Sequence, residues 1–366
     1  MKRLLITGGA GFIGANFCHY WSGQHPEDRL VVLDALTYAG NLASIAPLLE
    51  TERLRFVQGD IADREHVVAL LEAERIDTIV NFAAESHVDR SIEDPQSFLR
   101  TNVMGTHALL EAARSVWKAP KGDSVRFHHV STDEVYGSLA LEDAAFTERT
   151  AYSPNSPYSA SKAAADHLVR AYAHTYGLPC TISNCSNNYG PYQFPEKLLP
   201  LCIVNILEGR ALPIYGDGLQ VRDWLHVSDH CRAIDLILSA SPPGETWNIG
   251  GSSGDCNLKV VETICELVDV AFASEPELAR RYPRAAPACG RSSRSLIEHV
   301  RDRPGHDRRY AVDGTKIARL GLTPQTLLAS GLAATVRWYI ENETWWRSIV
   351  SGEYRHWYER QYARAS

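Results

Sequence analysis

The feature that most limits what this chain can fold into is the alternation, through its first half, of short apolar runs with helix-like stretches. Residues 4–7, 30–33, 54–57, 78–82, 125–130 and 181–183 are the runs, each bounded by turn-forming residues or followed by a longer mixed segment. Strand alternating with helix builds a parallel sheet from βαβ units. The runs are nearly continuously apolar, as a sheet covered by helices on both faces requires. The pattern predicts an α/β fold: a doubly wound, Rossmann-type parallel sheet with a smaller, irregular α/β lobe. Ligands of such sheets lie beyond the carboxyl ends of the strands, so the residues just after each run are the candidates for chemistry.

Past residue 188 the pattern loosens, with Pro191, Pro195 and Pro200, a turn at 215–218 and a long irregular segment from 273 to 306. Residues 1–187 are therefore expected to form the nucleotide-cofactor domain, with a later segment near 226–250 returning to it. Residues 188–366 are expected to be mainly a discontinuous substrate-binding lobe. From 324 to 362 the chain reads as helical, and its aromatic stripe (Trp338, Tyr339, Trp345, Trp346, Trp357, Tyr358) reads as packing.

A formal net charge of -7 over 366 residues argues against a nucleic-acid surface, which needs clustered basic residues. One stretch inverts the balance: residues 280–309 hold nine arginines against Glu298, Asp302 and Asp307. Most of these arginines are expected on a solvated face, and one or two as a phosphate clamp, since the guanidinium fork matches phosphate oxygens. The eight cysteines include no C-x-x-C and no zinc-type His pair, which points to reduced thiols in a cytoplasmic protein and to no metal site. The apolar start at 4–6 stops at Thr7-Gly8-Gly9, short of a signal-peptide core, and no run of about 18 apolar residues suggests a membrane span.

Thr7-Gly8-Gly9-Ala10-Gly11-Phe12-Ile13-Gly14 follows the first strand and opens a helix. That context turns a glycine string into a pyrophosphate cradle, with backbone amides and a helix N-terminus facing the ligand and Gly8, Gly11 and Gly14 allowing its close approach. Asp34, twenty positions after Gly14 at the end of the second run, suits the adenosine ribose hydroxyls and repels a 2′-phosphate, so NAD is expected rather than NADP. Asp60 and Ile61 after the third run, and Ala83 and Ala84 after the fourth, fit contacts to the adenine and to the nicotinamide-side ribose, although each alone could be a plain turn or cap.

Ser156-Pro157 reads as an N-cap with proline at N1, which puts Tyr158 in a first helical turn and Lys162 on the same face four residues later. A nearby ammonium and the helix N-terminus would both favour phenolate, predicting a lowered tyrosine pKa. Just past the fifth run stands Thr132-Asp133-Glu134. Two adjacent acids could merely decorate a helix N-terminus, but in a ligand cleft they fit a general acid beside a general base. That division of labour requires a raised pKa at Asp133 and an ionised Glu134.

These motifs together resemble the extended short-chain dehydrogenase/reductase family, with Thr132 matching its catalytic Ser/Thr. Within it, Ser131-Thr132-Asp133-Glu134-Val135-Tyr136-Gly137 is similar to the dTDP-glucose 4,6-dehydratases, as are residues 34–41, 83–91, 184–191 and 302–307. The resemblance implies dehydration of a nucleotide sugar through transient oxidation at carbon 4 by tightly bound NAD, catalysed by Thr132, Asp133, Glu134, Tyr158 and Lys162. It adds Phe12, Ile13, Leu36, Thr37, Ser86, Thr101 and Asn188 to the cofactor site. It carries Ser86, Thr132, Asn187, Lys197, Leu198, Pro213, Tyr215, Arg222, Asn257, Arg303 and His306 onto the substrate, Lys197 and Arg222 suiting its diphosphate. A homodimer is implied through helices near 101–116 and 157–176. The alternatives are a nucleotide-sugar epimerase, a dehydratase of another nucleotide sugar and, from a different class, a catalytically silent NAD-binding scaffold.

Overall fold

The computed structural model describes residues 1–117, 124–251 and 253–350. Among the described residues twelve strands run in chain order: β1 Arg3–Thr7, β2 Arg29–Asp34, β3 Leu54–Gln58, β4 Thr78–Asn81, β5 Arg126–Thr132, β6 Cys180–Cys185, β7 Asn187–Tyr189, β8 Leu212–Tyr215, β9 Val221–His226, β10 Thr246–Ile249, β11 Gly254–Cys256 and β12 Ile297–Val300. Seven form the main sheet, in the order β10-β6-β5-β4-β1-β2-β3, and every pairing in it is parallel. The strand order reverses at β1, between β4 and β2, which opens the ligand crevice beyond their carboxyl ends.

Helices cover both faces, so the sheet strands can be apolar throughout. Phe12–Gln24 and Val227–Ala240 close one face over Leu4, Ile6, Val32 and Val80. Arg64–Glu74, Thr106–Val116 and Pro157–Tyr176 close the other over Leu5, Val31, Ile79 and Phe127. β5 departs from the apolar pattern, because its buried positions include Arg126, His128 and His129. Burial of such groups requires partners. Arg126 donates to the Ser241 carbonyl at 3.0 Å, and the His128 ring lies between the Thr181 and Ser183 hydroxyls at 2.9 and 3.1 Å.

The chain leaves the sheet after β6 and returns to it with Val227–Ala240 and β10. The remainder forms a second core around Leu199, Ile203, Val261, Ile264, Tyr282 and Trp346, with a three-stranded sheet β11-β9-β7 and a pair β12-β8. The segment read as irregular from 273 to 306 carries more order than its composition suggests. It holds a helix Glu277–Arg281, single turns at Pro287–Cys289 and Ser293–Leu296, and β12, which pairs in parallel with β8. Helices Leu328–Glu341 and Glu343–Val350 use Tyr339 and Trp346 as core, while Trp338 and Trp345 pack beside them. Trp357 and Tyr358 lie outside the described residues. Among the described residues no helix is long and apolar enough to cross a membrane.

Candidate active site

The turn from β1 into Phe12–Gln24 is shaped by its glycines. Gly8 sits at φ +68° and donates to the Leu33 carbonyl at 2.9 Å, and a Cβ there would come within 2.7 Å of the Ala83 nitrogen. A Cβ on Gly14 would fall onto the Gly8 carbonyl oxygen. Gly11 caps the helix with no side-chain bond to its first amides, leaving that donor-rich end to a ligand. Asp34 closes the cradle: Oδ2 accepts from the Ala10 amide at 2.9 Å and Oδ1 from the Leu36 amide at 2.8 Å. Burial raises this carboxyl, and the two amides oppose the rise.

One continuous cleft runs from this cradle past the ends of β4, β5 and β6. Gly8, Gly11, Phe12, Ile13, Gly14, Asp34, Thr37, Asp60, Ile61, Ala83, Ala84, Ser86, Thr101, Tyr158, Lys162 and Asn188 line it, as do Thr132, Asp133, Glu134, Asn187 and Lys197. Leu36 is not among the lining residues; its backbone is held at φ +52° with its amide on Asp34, so its contribution is to the loop. The glycine cradle, the open helix end and Asp34 fit the dinucleotide expected from the sequence. Thr101 lies in Leu99–Gly105, a π-helical stretch inside a longer helical run, and π-turns of this kind recur at functional sites. Its neighbour Asn102 holds the Glu85 backbone through both N–H and C=O, at 2.9 and 3.0 Å, and donates to Ser161 Oγ at 2.8 Å.

Ser156 caps Pro157–Tyr176 in a capping box with Ser159, with proline at the helix start, so the local sequence sets Tyr158 in the first turn. The phenol departs from its expected acidity. Burial raises Tyr158 well above the usual tyrosine value, and the negative fields of Glu134 and Cys185 add to it, with the Thr132 hydroxyl opposing. The Lys162 ammonium is bonded elsewhere: Nζ donates to the Val130 carbonyl at 2.8 Å and lies 3.2 Å from His129 Nε2. Burial lowers Lys162 to about 8, partly offset by Asp166.

Thr132 ends β5 and caps the single turn Asp133–Tyr136, its Oγ1 accepting the Glu134 amide at 3.3 Å. The turn is sharp because Gly137 takes φ +94° against the Ser153 carbonyl. Asp133 is 1% exposed, and its Oδ2 has no hydrogen-bond partner. Burial, then Glu134 and Asp223, push its carboxyl well above the usual range. Burial also raises Glu134, but there Arg303, Lys197 and Arg222 pull the other way. Adjacent acids therefore have unlike surroundings, the condition for one to hold a proton while the other gives it up.

The remaining residues carried onto the substrate do not line this cleft. Arg222 on β9 donates to the Val221 and Asp307 carbonyls at 2.9 and 3.0 Å, with its guanidinium over the Tyr310 ring. Arg303 lies 3.6 Å from Asp89, which also accepts the Tyr215 hydroxyl at 3.2 Å, and His306 faces Asp302 at 2.6 Å and packs edge-on to Tyr215. These groups form a second cluster that reaches the cleft's electrostatics at Glu134. Leu198 opens the helix Leu198–Glu208, Pro213 lies in β8, and Asn257 opens Asn257–Ser274 with its amide on the Gln220 carbonyl. Of the nine arginines in 280–309, Arg281, Arg284, Arg294 and Arg308 are held by Glu343, Glu208, Glu266 and Asp217, which removes them from clamp duty.

The sequence did not single out Ser131, Cys185, Ser186, Gln193, Phe194 or Glu196, all of which line the cleft. The crevice rule could have found Ser131, Cys185 and Ser186, which stand at or just past strand ends. Glu196 had no local signal: Arg90 of the short helix Val88–Glu93, at 3.0 Å, and the Tyr38 hydroxyl of a distant loop, at 2.8 Å, reach it. Among the described residues no group of three or more His, Cys, Asp or Glu is placed to hold a metal ion.

The sheet order, the glycine cradle and the Tyr158, Lys162 and Thr132 grouping define the extended short-chain dehydrogenase/reductase class. Residues 5–335 match the family model described as GDP-mannose 4,6 dehydratase. The dTDP-glucose 4,6-dehydratase of Xanthomonas campestris pv. campestris (strain B100) is 54% identical over 97% of this chain and 98% of its own length. Two solved dTDP-glucose 4,6-dehydratases superpose closely, each covering 95% of this chain and 100% of theirs. That of Streptomyces venezuelae, with NAD bound, has TM-score 0.83 at 46% identity, and that of Bacillus anthracis str. Ames, in complex with NAD, has TM-score 0.82 at 43% identity. The chain belongs to the dTDP-glucose 4,6-dehydratase family.

Proposed function

We propose that this chain is an NAD-dependent hydro-lyase that converts dTDP-glucose to dTDP-4-keto-6-deoxyglucose. The observation that carries this reading is the buried Asp133, its carboxyl pushed up by burial, beside Glu134 facing Arg303 and Lys197, in one cleft with Tyr158 and Lys162. Family membership at 54% identity over nearly the whole chain supports the substrate.

The cofactor is held by the Gly8–Gly14 turn, Asp34, Asp60, Ile61, Ala83, Ala84 and Thr101. NAD bound there would supply the oxidising power, hydride acceptance at carbon 4 and hydride return at carbon 6, which makes the cycle redox-neutral. Tyr158 takes the carbon-4 hydroxyl proton, with Thr132 hydrogen-bonding the phenol and the Lys162 ammonium lowering the cost of phenolate. Burial raises the phenol's pKa, which makes that assistance necessary. The carbon-4 ketone acidifies the carbon-5 hydrogen, which Glu134 removes. Asp133 donates its proton to the departing carbon-6 hydroxyl and water leaves; Glu134, its proton exchanged with solvent, protonates carbon 5 as carbon 6 regains hydride, and the proton held by Tyr158 balances the one Asp133 gave up.

Residues 1–187 with about 226–250 serve as the cofactor domain and the rest of 188–366 mainly as the nucleotide-sugar lobe. Asn187, Lys197, Arg222, Arg303 and His306 are assigned to the substrate's nucleotide diphosphate. A homodimer through helices near 101–116 and 157–176 is supported by Leu99, Met104 and Tyr176, which are more than half exposed. A cytoplasmic location fits the eight free thiols.

The test is a comparison of dTDP-, UDP- and CDP-glucose as substrates, scored for 4-keto-6-deoxy product. Preferential turnover of dTDP-glucose supports the reading. Turnover of another nucleotide sugar alone reassigns the base, and epimerised sugar without loss of water replaces the reaction.

A further inference from the structure

Lys162 is 3% exposed, and an ammonium so buried is costly unless an opposite charge compensates it. Its two close neighbours are uncharged: the Val130 carbonyl at 2.8 Å and the His129 ring at 3.2 Å. Burial and the nearby ammonium keep His129 neutral, and Asn81 Nδ2 anchors its Nδ1 at 3.0 Å. Asp166 Oδ1 stands 3.5 Å from Nε2 of this ring, the same nitrogen that Lys162 approaches. Asp166 follows Lys162 by one helical turn and is fully buried.

Donors oppose the burial that raises its carboxyl. Oδ2 accepts the Ser131 hydroxyl from β5 and the Tyr152 hydroxyl from the loop before the helix, both at 2.9 Å, while Oδ1 has no hydrogen-bond partner. Arg170, on the next turn of the same helix, supports Tyr152 with a bond of 2.8 Å to its oxygen. We propose that Asp166, acting through the neutral ring of His129, is the positioning residue that keeps Lys162 an ammonium directed at the cleft. The ring nitrogen that both charges approach, 3.2 Å from the ammonium and 3.5 Å from the carboxylate, couples them. Asp166 touches neither substrate nor cofactor and acts only through Lys162.

The groups facing this pair are accounted for. Asp166, which stands at about 6, is raised first by burial and lowered by Lys162, Ser131, Tyr152 and Arg170. Lys162 sees Asp166 and the Cys185 thiol of β6, besides His129. Near neutral pH the carboxylate is therefore ionised, and removing its charge must lower the Lys162 pKa.

The inference rests on the dehydratase reading for its kinetic test and is independent of it for its titration test. In Asp166→Asn, which keeps the side-chain shape, the high-pH fall of kcat/KM for dTDP-glucose should move to lower pH by about one unit or more, with activity at lower pH approaching wild type. Tyr152→Phe, which removes one donor from Oδ2, should move it in the same direction by less, and decides the matter if Asp166→Asn does not fold. A uniform loss at every pH with the limb unmoved would overturn the proposal. Titration of the Lys162 amine by NMR in the NAD-bound protein needs no substrate: a lower midpoint in the variants supports the inference, and an equal midpoint overturns it. Absence of 4-keto sugar from the wild type would count against the dehydratase reading alone.

Discussion

Asp133 and Glu134 are adjacent in the chain and stand in unlike electrostatic surroundings. Burial raises both carboxyls, but Asp133 is pressed further by Glu134 and Asp223 and eased only by Arg222 and the Thr132 hydroxyl, whereas Glu134 is faced by Arg303, Lys197 and Arg222. The one-turn helix begun at Thr132 separates them, turning one carboxyl into the buried base of the cleft and the other toward the basic cluster of the second lobe.

Asp133 binds a proton in the folded protein at pH values where the unfolded chain has lost it. Its folded pKa is raised, so stability falls as pH climbs through the ordinary carboxylate range toward the folded value. Asp133→Asn should therefore melt higher than wild type at neutral pH, with the difference closing near about pH 4. Its dehydration rate should fall roughly 100-fold or more. Calorimetry at two pH values, together with product assay, checks both.

Glu134→Gln removes the base and leaves the oxidation machinery in place. Reduced cofactor should accumulate on mixing with dTDP-glucose, while 4-keto-6-deoxy product slows by roughly 100-fold or more. Stopped-flow absorbance of the reduced nicotinamide reads the first effect and product assay the second.

Lys162 loses its proton near about 8. Because the ammonium is the form that assists phenolate at Tyr158, wild-type kcat/KM should decline as pH rises through that value. A pH-rate profile checks the limb, and Lys162→Met should lower activity without restoring any of it at high pH.

Gly8→Ala forces an L side chain to φ +68° and drives its Cβ to 2.7 Å from the Ala83 nitrogen. The backbone strain alone costs about 1–2 kcal/mol. The variant should purify with less NAD and unfold at lower denaturant, measured by cofactor content and a urea melt. Asp34→Ala should also lose NAD without gaining NADP, because this carboxylate fastens the Ala10 and Leu36 amides as well as disfavouring a 2′-phosphate.

The doubly wound sheet was legible because the apolar runs and the glycine turn are local signals, and so was the Ser156-Pro157 start of the catalytic helix; the strand order, set by pairing between distant segments, was not. β5 was only half legible: its buried His128 and His129 make sense only beside Thr181, Ser183 and Lys162, which lie far along the chain. The lowered pKa expected of Tyr158 failed because burial, then Glu134 and Cys185, raise it, and because Lys162 is held by a carbonyl and a ring of β5. Arg222, Arg303 and His306 meet through β9 and the loop after β12, and β12 itself was hidden in a segment whose composition reads as irregular. Asp166 carried no signal, because an acid four residues after a lysine is common on helices and only burial makes it significant.

The central claim is that the two acids beside Tyr158 and Lys162 expel water after oxidation. Wild-type protein incubated with dTDP-glucose in deuterated water and followed by NMR tests it most directly. The account predicts a 4-keto-6-deoxy sugar carrying solvent deuterium at carbon 5, with the hydrogen from carbon 4 recovered at carbon 6. A galactose-configured sugar that retains its carbon-6 hydroxyl and its carbon-5 protium would contradict it.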